Sequence, residues 1–219
     1  MEIIQKNKNI KEIIAALKNG AVLVLPTDTV YGLVCDATNK KATEKIFKIK
    51  KRSRIKALPV FVQDIKMAKK YAVILKIQEG IIKERWPGAF TFVLKAKKGL
   101  SPLVYKKDTI AMRQPDYKLI MEIIKLLKKP LAQTSANISG QPSLNKISDI
   151  VKTFEKSKIK PDIIINGGNL SRRQSRRGSS MKSGQKNKPS VIIDLIPMGE
   201  PSRTRDRIGA KNKIKILRK

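Results

Sequence analysis

Short apolar runs alternate along this chain with segments in which apolar residues recur every three or four positions. The longer period predicts amphipathic helices, and a short apolar run that ends at a turn residue predicts a buried strand. Asn9 and Gly20 are predicted to bound the first helix, and Asp64 and Asp116 to cap two later ones. Further helices are predicted over residues 40–50, 64–71, 73–85, 116–127 and 147–155. Strands are predicted over residues 21–25, 58–62, 90–94, 109–112, 130–133, 162–165 and 190–195, and this alternation indicates the α/β class.

Polar side chains stand at the ends of several of these predicted strands. Open α/β sheets bind ligands at the carboxyl ends of their strands, so a shared cleft is expected there. Each residue alone is explained as well by a turn or a cap, because Thr, Ser and Asn bond to nearby backbone. Their number favours the cleft. The residues are Thr27, Thr29, Arg113, Ser135, Asn137, Asn166 and Ser190.

The composition narrows the classes of protein and of site. A chain of 219 residues fits one α/β domain over 1–219, and with 41% hydrophobic but only 5% aromatic residues its core is expected to consist of Ile, Val and Leu. The absence of histidine removes the commonest general base, and one cysteine, Cys35, excludes an internal disulfide. Neither a signal peptide nor a spanning apolar run is present, so a cytoplasmic protein without membrane contact is expected.

The formal net charge of +32 suggests a polyphosphate or an RNA as partner, although lysines spread over solvated helix faces explain much of it equally well. Residues 171–190 carry seven basic and no acidic side chains, and residues 201–219 carry eight basic and one acidic. The composition of 171–189 predicts a flexible basic loop. It is either an unselected insertion or an arm that closes over a phosphate or touches RNA.

The densest basic cluster of the predicted folded part is Lys50, Arg52, Arg54 and Lys56, between a helix end and a strand start. The helix dipole accounts for some of these cations, and a bound phosphate chain would account for all of them. No GxxxxGK[ST] sequence is present, so this is not a P-loop site.

Five motifs, in order along nearly the whole chain, resemble those of the threonylcarbamoyl-AMP synthase family, the YrdC/TsaC-like enzymes. They are Pro26–Leu33; Lys50, Arg52, Lys56 and Leu58 in a KxRxxxKxL spacing; Trp86-Pro87-Gly88 with Phe90-Thr91; Arg113 with Pro115; and Ser135-Ala136-Asn137 with Ser139-Gly140. The resemblance implies a YrdC-like fold, a twisted open mixed sheet flanked by helices with a deep basic concave face.

The resemblance also implies an activity, which forms threonylcarbamoyl-AMP and pyrophosphate from L-threonine, bicarbonate or CO2, and ATP with Mg²⁺. This is the first step of N6-threonylcarbamoyladenosine modification of tRNA. The expected partners are those substrates, a tRNA threonylcarbamoyltransferase complex, and tRNA or another RNA. An additional C-terminal domain, found in the longer family branch, is expected to be absent.

Site residues follow from the same resemblance. The expected catalytic residues are Lys50, Arg52 and Lys56. Threonine is expected to contact Thr29, Gln63, Arg113, Ser135 and Asn166. ATP is expected to contact Arg52, Lys56, Thr109, Asn137, Asn145 and Ser190, and no metal ligand is expected from the protein.

This chain departs from the family pattern at Asn166, where Asp is common, at Gln63, where some members have His, and at Val191, where Thr is usual. Two alternatives remain. One is a non-catalytic RNA- or ribosome-binding protein of the same fold, which has no need of the Lys50/Arg52 and Ser135/Asn137 sets. The other is a carbamoyl-transfer module like that of hydrogenase-maturation proteins, which the single cysteine and the chain length disfavour.

Overall fold

The computed structural model describes residues 1–5, 10–170, 190–196 and 215–218, and six helices and twelve strands fall within these ranges. The helices are α1 Ile10–Lys18, α2 Lys40–Lys50, α3 Ile65–Tyr71, α4 Lys76–Lys83, α5 Lys118–Leu127 and α6 Ile147–Glu155. The strands are β1 Glu2–Gln5, β2 Leu23–Leu25, β3 Gly32–Asp36, β4 Val60–Phe61, β5 Ala72–Val73, β6 Phe90–Ala96, β7 Tyr105–Lys106, β8 Thr109–Arg113, β9 Leu131–Ser135, β10 Ile163–Asn166, β11 Val191–Asp194 and β12 Lys215–Arg218.

All of these strands join one mixed sheet, which confirms the predicted fold class. The order is β1-β10-β2-β3-β9-β4-β8-β6-β11-β12, with β5 beside β6 and β7 beside β8. Strand β4 runs parallel to β8 but antiparallel to β9, and β2 and β9 both run antiparallel to β3. The carboxyl ends of the strands therefore lie at both edges of the sheet.

The core is aliphatic, as the composition predicted. Helix α1 buries Ile13, Ile14 and Leu17, and α5, which packs against α1, buries Ile120, Ile123, Ile124 and Leu127. Strands β2 and β3 are buried at every position, and both α1 and α2 contact β3.

Two of the three predicted aspartate and asparagine caps can be assessed. Asp64 is the N-cap of α3, since its Oδ1 accepts a hydrogen bond from the Met67 N–H at 2.6 Å, and this prediction is confirmed. The prediction for Asp116 is wrong. Tyr117 occupies the N-cap of α5, and the Asp116 N–H donates instead to Asp28 Oδ2 at 3.1 Å. Asn9 lies outside the described residues.

Five strands were not predicted from the sequence, namely β1, β3, β5, β7 and β12. The predicted helix over 73–85 begins only at Lys76, because Ala72 and Val73 pair with β6. The predictions for the 171–189 loop, and for the 201–219 segment other than β12, lie outside the described residues. No helix in the described ranges is long and apolar enough to cross a membrane.

Candidate active site

The three polar stretches around Thr29, Lys50 and Ser135 meet at the loop that follows β9. The Ala136 N–H donates to the Tyr31 carbonyl at 2.7 Å, and the Ser139 N–H donates to the Lys50 carbonyl at 2.8 Å. The β3–β9 register adds to this junction, because Gly32 pairs with Ser135. Segments that are about a hundred residues apart thus form one structural unit.

The Lys50 side chain is the centre of this junction. It is 3% exposed, and its Nζ donates to Ser135 O at 2.7 Å, Ser135 Oγ at 3.2 Å, Asn137 O at 3.1 Å and Asn137 Oδ1 at 2.6 Å. Ser135 Oγ also donates to Asn137 Oδ1 at 2.7 Å, and Asn137 Nδ2 donates to the Gln141 carbonyl. The amide of Asn137 therefore has a defined orientation.

Burial, and to a smaller extent the positive charge of Arg52, lower the pKa of Lys50 to about 7. The four oxygen acceptors favour the charged form and oppose this shift. A buried ammonium that is fully hydrogen-bonded is a rigid element of the site.

Beyond Lys50 the chain turns sharply and presents its other cations. Lys51 caps α2 in the left-handed conformation with φ 51°, and the Arg52 guanidinium donates from Nε to Lys56 O at 2.8 Å and from Nη2 to Ala57 O at 3.0 Å. Arg52 thereby braces the 52–57 loop, on which Arg54 and Lys56 are exposed. Exposed cations on a braced loop can contact a polyanion with little reorganisation.

A second cluster surrounds Arg113 at the end of β8. Its guanidinium, 2% exposed, donates from Nη2 to Asp28 Oδ2 at 2.5 Å, from Nε to Gly88 O at 2.8 Å, and from Nη1 to Thr29 Oγ1 at 3.4 Å. The last contact is long, so Nη1 is the nitrogen with most capacity for another acceptor.

Asp28 binds Arg113 through only one of its two carboxylate oxygens, Oδ2. Its Oδ1 is buried and has no hydrogen-bond partner among the described residues. Burial, and to a smaller extent the charge of Asp28, raise the pKa of Asp116, whose N–H also contacts Asp28. Two carboxylates therefore lie near one guanidinium, a balance that suits an added cationic group.

The loop between β2 and β3 connects both clusters, and Thr27 fixes its shape. Thr27 Oγ1 accepts hydrogen bonds from the N–H groups of Thr29 at 3.0 Å and Val30 at 3.2 Å, and donates to Val30 O at 2.7 Å. Strands β3, β9 and β4 separate β2 from β8, yet this loop reaches Arg113. The loop therefore brings Asp28 and Thr29 to a strand that is not a neighbour of β2 in the sheet.

The turn after β10 packs beside the same loop. Tyr31 Oη donates to Gly168 O at 2.7 Å and accepts from the Gly167 N–H at 3.0 Å, while Asn166 Oδ1 accepts from the Gly168 N–H at 2.9 Å. A Cβ at Gly167 would lie only 2.6 Å from Pro26 Cγ. Asn166 is thus held next to the Pro26–Tyr31 loop, with its Oδ1 already bonded within its own turn.

Arg113 and Ser135 both end their strands, as expected, but β8 and β9 run in opposite directions, so the two residues lie at opposite ends of these strands. Phe61 pairs with Arg113 on β8 and with Leu131 on β9, and Ser135 lies four residues further along β9. At a rise of about 3.3 Å per residue, that is roughly 13 Å along the sheet. Side chains alternate along a strand, so Arg113 and Ser135 do share one face. Because β8 and β9 run in opposite directions, Arg113 and Ser135 lie on the same face of the sheet but at opposite ends of their strands.

The remaining predicted residues are dispersed around this face. Thr109 begins β8 toward the Ser135 end, and its hydroxyl donates to Lys106 O at 2.7 Å. Ser190 Oγ lies 2.8 Å from Thr91 Oγ1, next to β6. Gln63 lines a surface pocket with α5 residues. Asn145 Oδ1 is buried without a hydrogen-bond partner in the described part of the chain.

The groups at the Lys50 junction do not form a metal site. Within residues 1–5, 10–170, 190–196 and 215–218, no three His, Cys, Asp or Glu side chains lie together as a metal site. Ammonium, guanidinium, hydroxyl and amide groups predominate at the junction.

Comparison with known proteins identifies the family of this chain. The Sua5/YciO/YrdC family model, described as "Telomere recombination", matches residues 15–192. The chain belongs to the Sua5/YciO/YrdC family. A threonylcarbamoyl-AMP synthase of Photobacterium profundum is 33% identical over 146 residues, which are 65% of this chain and 79% of that protein.

Solved structures of Sua5/YciO/YrdC proteins superpose on most of the chain. Sua5 of P. abyssi, in complex with L-threonine, has 28% identity and a TM-score of 0.72 and covers 91% of this chain. The chain spans about half of that Sua5, 55% of its length. YciO of E. coli has 26% identity and a TM-score of 0.72, and the match covers 89% of each chain.

Several residues of this Sua5/YciO/YrdC site were missed by the sequence prediction. Asp28 stands within a recognised motif, but nothing in the local sequence signals its pairing with Arg113. The Phe61 ring, 5.8 Å from the Arg113 guanidinium carbon, and the Tyr31 hydroxyl occupy positions that resemble ordinary core residues. Thr91 belongs to the Phe90-Thr91 motif, but its contact with Ser190 could not be predicted from the sequence.

Proposed function

We propose that this chain is an L-threonylcarbamoyladenylate synthase, a nucleotidyltransferase that converts L-threonine, bicarbonate and ATP to threonylcarbamoyl-AMP and pyrophosphate. Family membership supports this proposal, as do relatives that are named threonylcarbamoyl-AMP synthase. The observation that carries it is the junction of Lys50 with Ser135 and Asn137, where three motif-bearing stretches converge.

The threonine side of the site is formed by Thr29, Gln63, Arg113, Ser135 and Asn166. Arg113 suits the amino-acid carboxylate, which its Nη1 can receive beside the Thr29 hydroxyl. The P. abyssi Sua5 neighbour was solved with L-threonine, which supports an amino-acid site in this fold.

The ATP side is formed by Arg52, Lys56, Thr109, Asn137, Asn145 and Ser190. Lys56 supplies an exposed charge for the phosphates, on a loop that Arg52 braces. The unpaired Asn145 Oδ1 can accept a hydrogen bond from an amino group such as that of adenine. Mg²⁺ would accompany ATP and would be bound through the phosphates, since the described residues form no carboxylate cluster for it.

The chemistry requires alignment rather than a histidine base. Bicarbonate loses hydroxide to give CO2, and the neutral amine of threonine adds to CO2 and releases a proton to solvent, which gives a carbamate. A carbamate oxygen then attacks the α-phosphorus of ATP, and the bond between that phosphorus and the leaving pyrophosphate breaks. The tasks of Arg52 and Lys56 are to hold the leaving phosphates in line and to balance the developing negative charge.

The product serves as a donor for tRNA modification, and we propose hand-over to a tRNA threonylcarbamoyltransferase complex in the cytoplasm. The net charge of +32 supports contact with tRNA or another RNA. RNA retention that does not fall as salt rises from 50 to 200 mM would contradict this electrostatic contact.

Pyrophosphate release by the purified protein tests the proposal directly. With ATP and Mg²⁺ present, we expect release only when both L-threonine and bicarbonate are added, and a chelator of Mg²⁺ should abolish it. ATP binding without threonine-dependent release would instead favour a non-catalytic RNA-binding protein of the same fold.

Arg52→Ala tests the assignment of the phosphate side. The substitution should reduce pyrophosphate release strongly, by about 100-fold, because it removes a charge and the brace of the 52–57 loop. Lys48→Ala is the matched control, since the Lys48 side chain is exposed on α2, and the substitution keeps the carbonyl that accepts from the Lys51 N–H at 3.3 Å. Near-normal release by Arg52→Ala would contradict the assignment.

A further inference from the structure

Lys50 binds the 135–139 loop through both its side chain and its main chain. Its Nζ contacts the oxygens of Ser135 and Asn137, and its carbonyl accepts from the Ser139 N–H at 2.8 Å. One residue at the end of α2 therefore holds both ends of a loop that carries a threonine-side and an ATP-side residue.

The hydrogen-bond inventory of Lys50 leaves nothing for a phosphate. Even in its protonated form the Lys50 side chain has only three N–H donors, and four protein oxygens within 3.2 Å already share them. The side chain is also buried, whereas Lys51, Arg54 and Lys56 are exposed on the following turn and loop. The exposed cations are better placed to meet a polyanion.

The contacts of Lys50 also fix which way the neighbouring polar groups point. Asn137 Oδ1 is directed toward Lys50 Nζ at 2.6 Å, so its Nδ2 is directed toward Gln141 O. Ser135 Oγ accepts from Lys50 and donates to Asn137 Oδ1, which sets the direction of its proton. Without the Lys50 amine, the Ser135 and Asn137 side chains would lose the hydrogen-bond donor that they share.

We propose that Lys50 is a positioning residue, which orients Ser135 and Asn137 for the two substrates and makes no contact with the triphosphate. This inference rests on the proposed synthase function for its kinetic test. Lys50 then acts by orienting the 135–139 loop, which carries residues for both substrates, and not by neutralising the charge of the phosphates.

Lys50→Met and Lys50→Arg separate the two roles. Loss of the loop orientation should reduce kcat/KM for threonine and for ATP alike, by about 100-fold each, because misplacement by about 1 Å has that effect. Lys50→Arg should not restore activity, since a planar guanidinium cannot reproduce four contacts around one ammonium. A loss confined to ATP, with rescue by Lys50→Arg, would overturn the proposal.

A double-mutant cycle with Asn137→Ala provides a second test. If Lys50 acts through the loop, Lys50→Met adds little to the loss already caused by Asn137→Ala. Fold-changes that multiply across the double variant would show an independent role and overturn the proposal. Circular dichroism of each variant checks that it keeps the secondary structure of the wild type, so that activities of folded proteins are compared.

Acetylation footprinting of the wild-type protein needs no variant and no turnover. We expect Lys50 to resist acetylation with and without Mg-ATP, and Lys56 to be protected when Mg-ATP binds. Reactivity at Lys50 that Mg-ATP suppresses would overturn the proposal even if the variants failed to fold. The footprint also stands if threonine-dependent pyrophosphate release is absent, so the two proposals can fail separately.

Discussion

Asp28→Ala should destabilise the fold severely, because it leaves a buried guanidinium without its counter-ion. The side chains of Arg113 and Asp28 are 2% and 6% exposed, and their Nη2–Oδ2 distance is 2.5 Å. Removing one partner of a buried pair costs about 3–5 kcal/mol. For a domain of this size that corresponds to a fall of roughly 6–20 °C in melting temperature.

Urea unfolding followed by tryptophan fluorescence measures this loss. Trp86 is the single tryptophan of the chain and is 7% exposed, so its emission should report the loss of the core around it. Lys83→Met is the control, since its ion pair with Glu79 joins side chains that are 65% and 22% exposed. Exposed pairs at this spacing contribute about 0.3–0.5 kcal/mol.

The double variant Asp28→Ala/Arg113→Met should be more stable than the two single losses predict, by about 2 kcal/mol, because no lone charge remains buried. If Asp28→Ala changed the free energy of unfolding no more than Lys83→Met does, the pair would not be desolvated in solution. The reasoning about the Arg113 cluster would then be refuted.

Two further predictions concern Lys50 and Gly167. Between the lowered pKa of about 7 and the ordinary value of 10.5, unfolded chains bind a proton at Lys50 that folded chains lack. The free energy of unfolding of the wild type relative to Lys50→Met should therefore rise with pH across that window, and a flat difference in urea titrations would show that the acceptors hold the pKa near its ordinary value. Gly167→Ala should cost about 1–3 kcal/mol because its Cβ would meet Pro26 Cγ at 2.6 Å. Gly80→Ala, with open space on α4, should instead gain about 0.5–1 kcal/mol, and equal effects in the same titration would contradict the clash.

Local signals in the sequence predicted the helices and the α/β class well. Asp64 caps α3 because its carboxylate competes for a nearby N–H, an interaction that spans only three residues. The apolar period of α5 likewise corresponds to its buried face. Strand β3 was missed because its five buried residues directly follow the polar loop and show no alternation.

The site was harder to predict because its contacts are long-range. Asp28 and Arg113 are 85 residues apart, and the same separation joins Lys50 to Ser135. These contacts depend on strand directions and on the order of strands in the sheet, neither of which local periodicity encodes. The motif resemblance predicted the family correctly, whereas the strand-end argument could not show that β8 and β9 run in opposite directions.

The pairing of β10 between β1 and β2 has a consequence for synthesis of the chain. Ile3 of β1 and Val24 of β2 both pair with Ile164, so these two strands are synthesised long before β10, the strand that pairs with them. Until residue 168 emerges from the ribosome, the fully buried β2 exposes one hydrogen-bonding edge, and Tyr31 lacks the turn that it binds. Such an edge can pair with other chains. Nascent chains of this protein should consequently depend on chaperones until β10 and the turn after it have emerged.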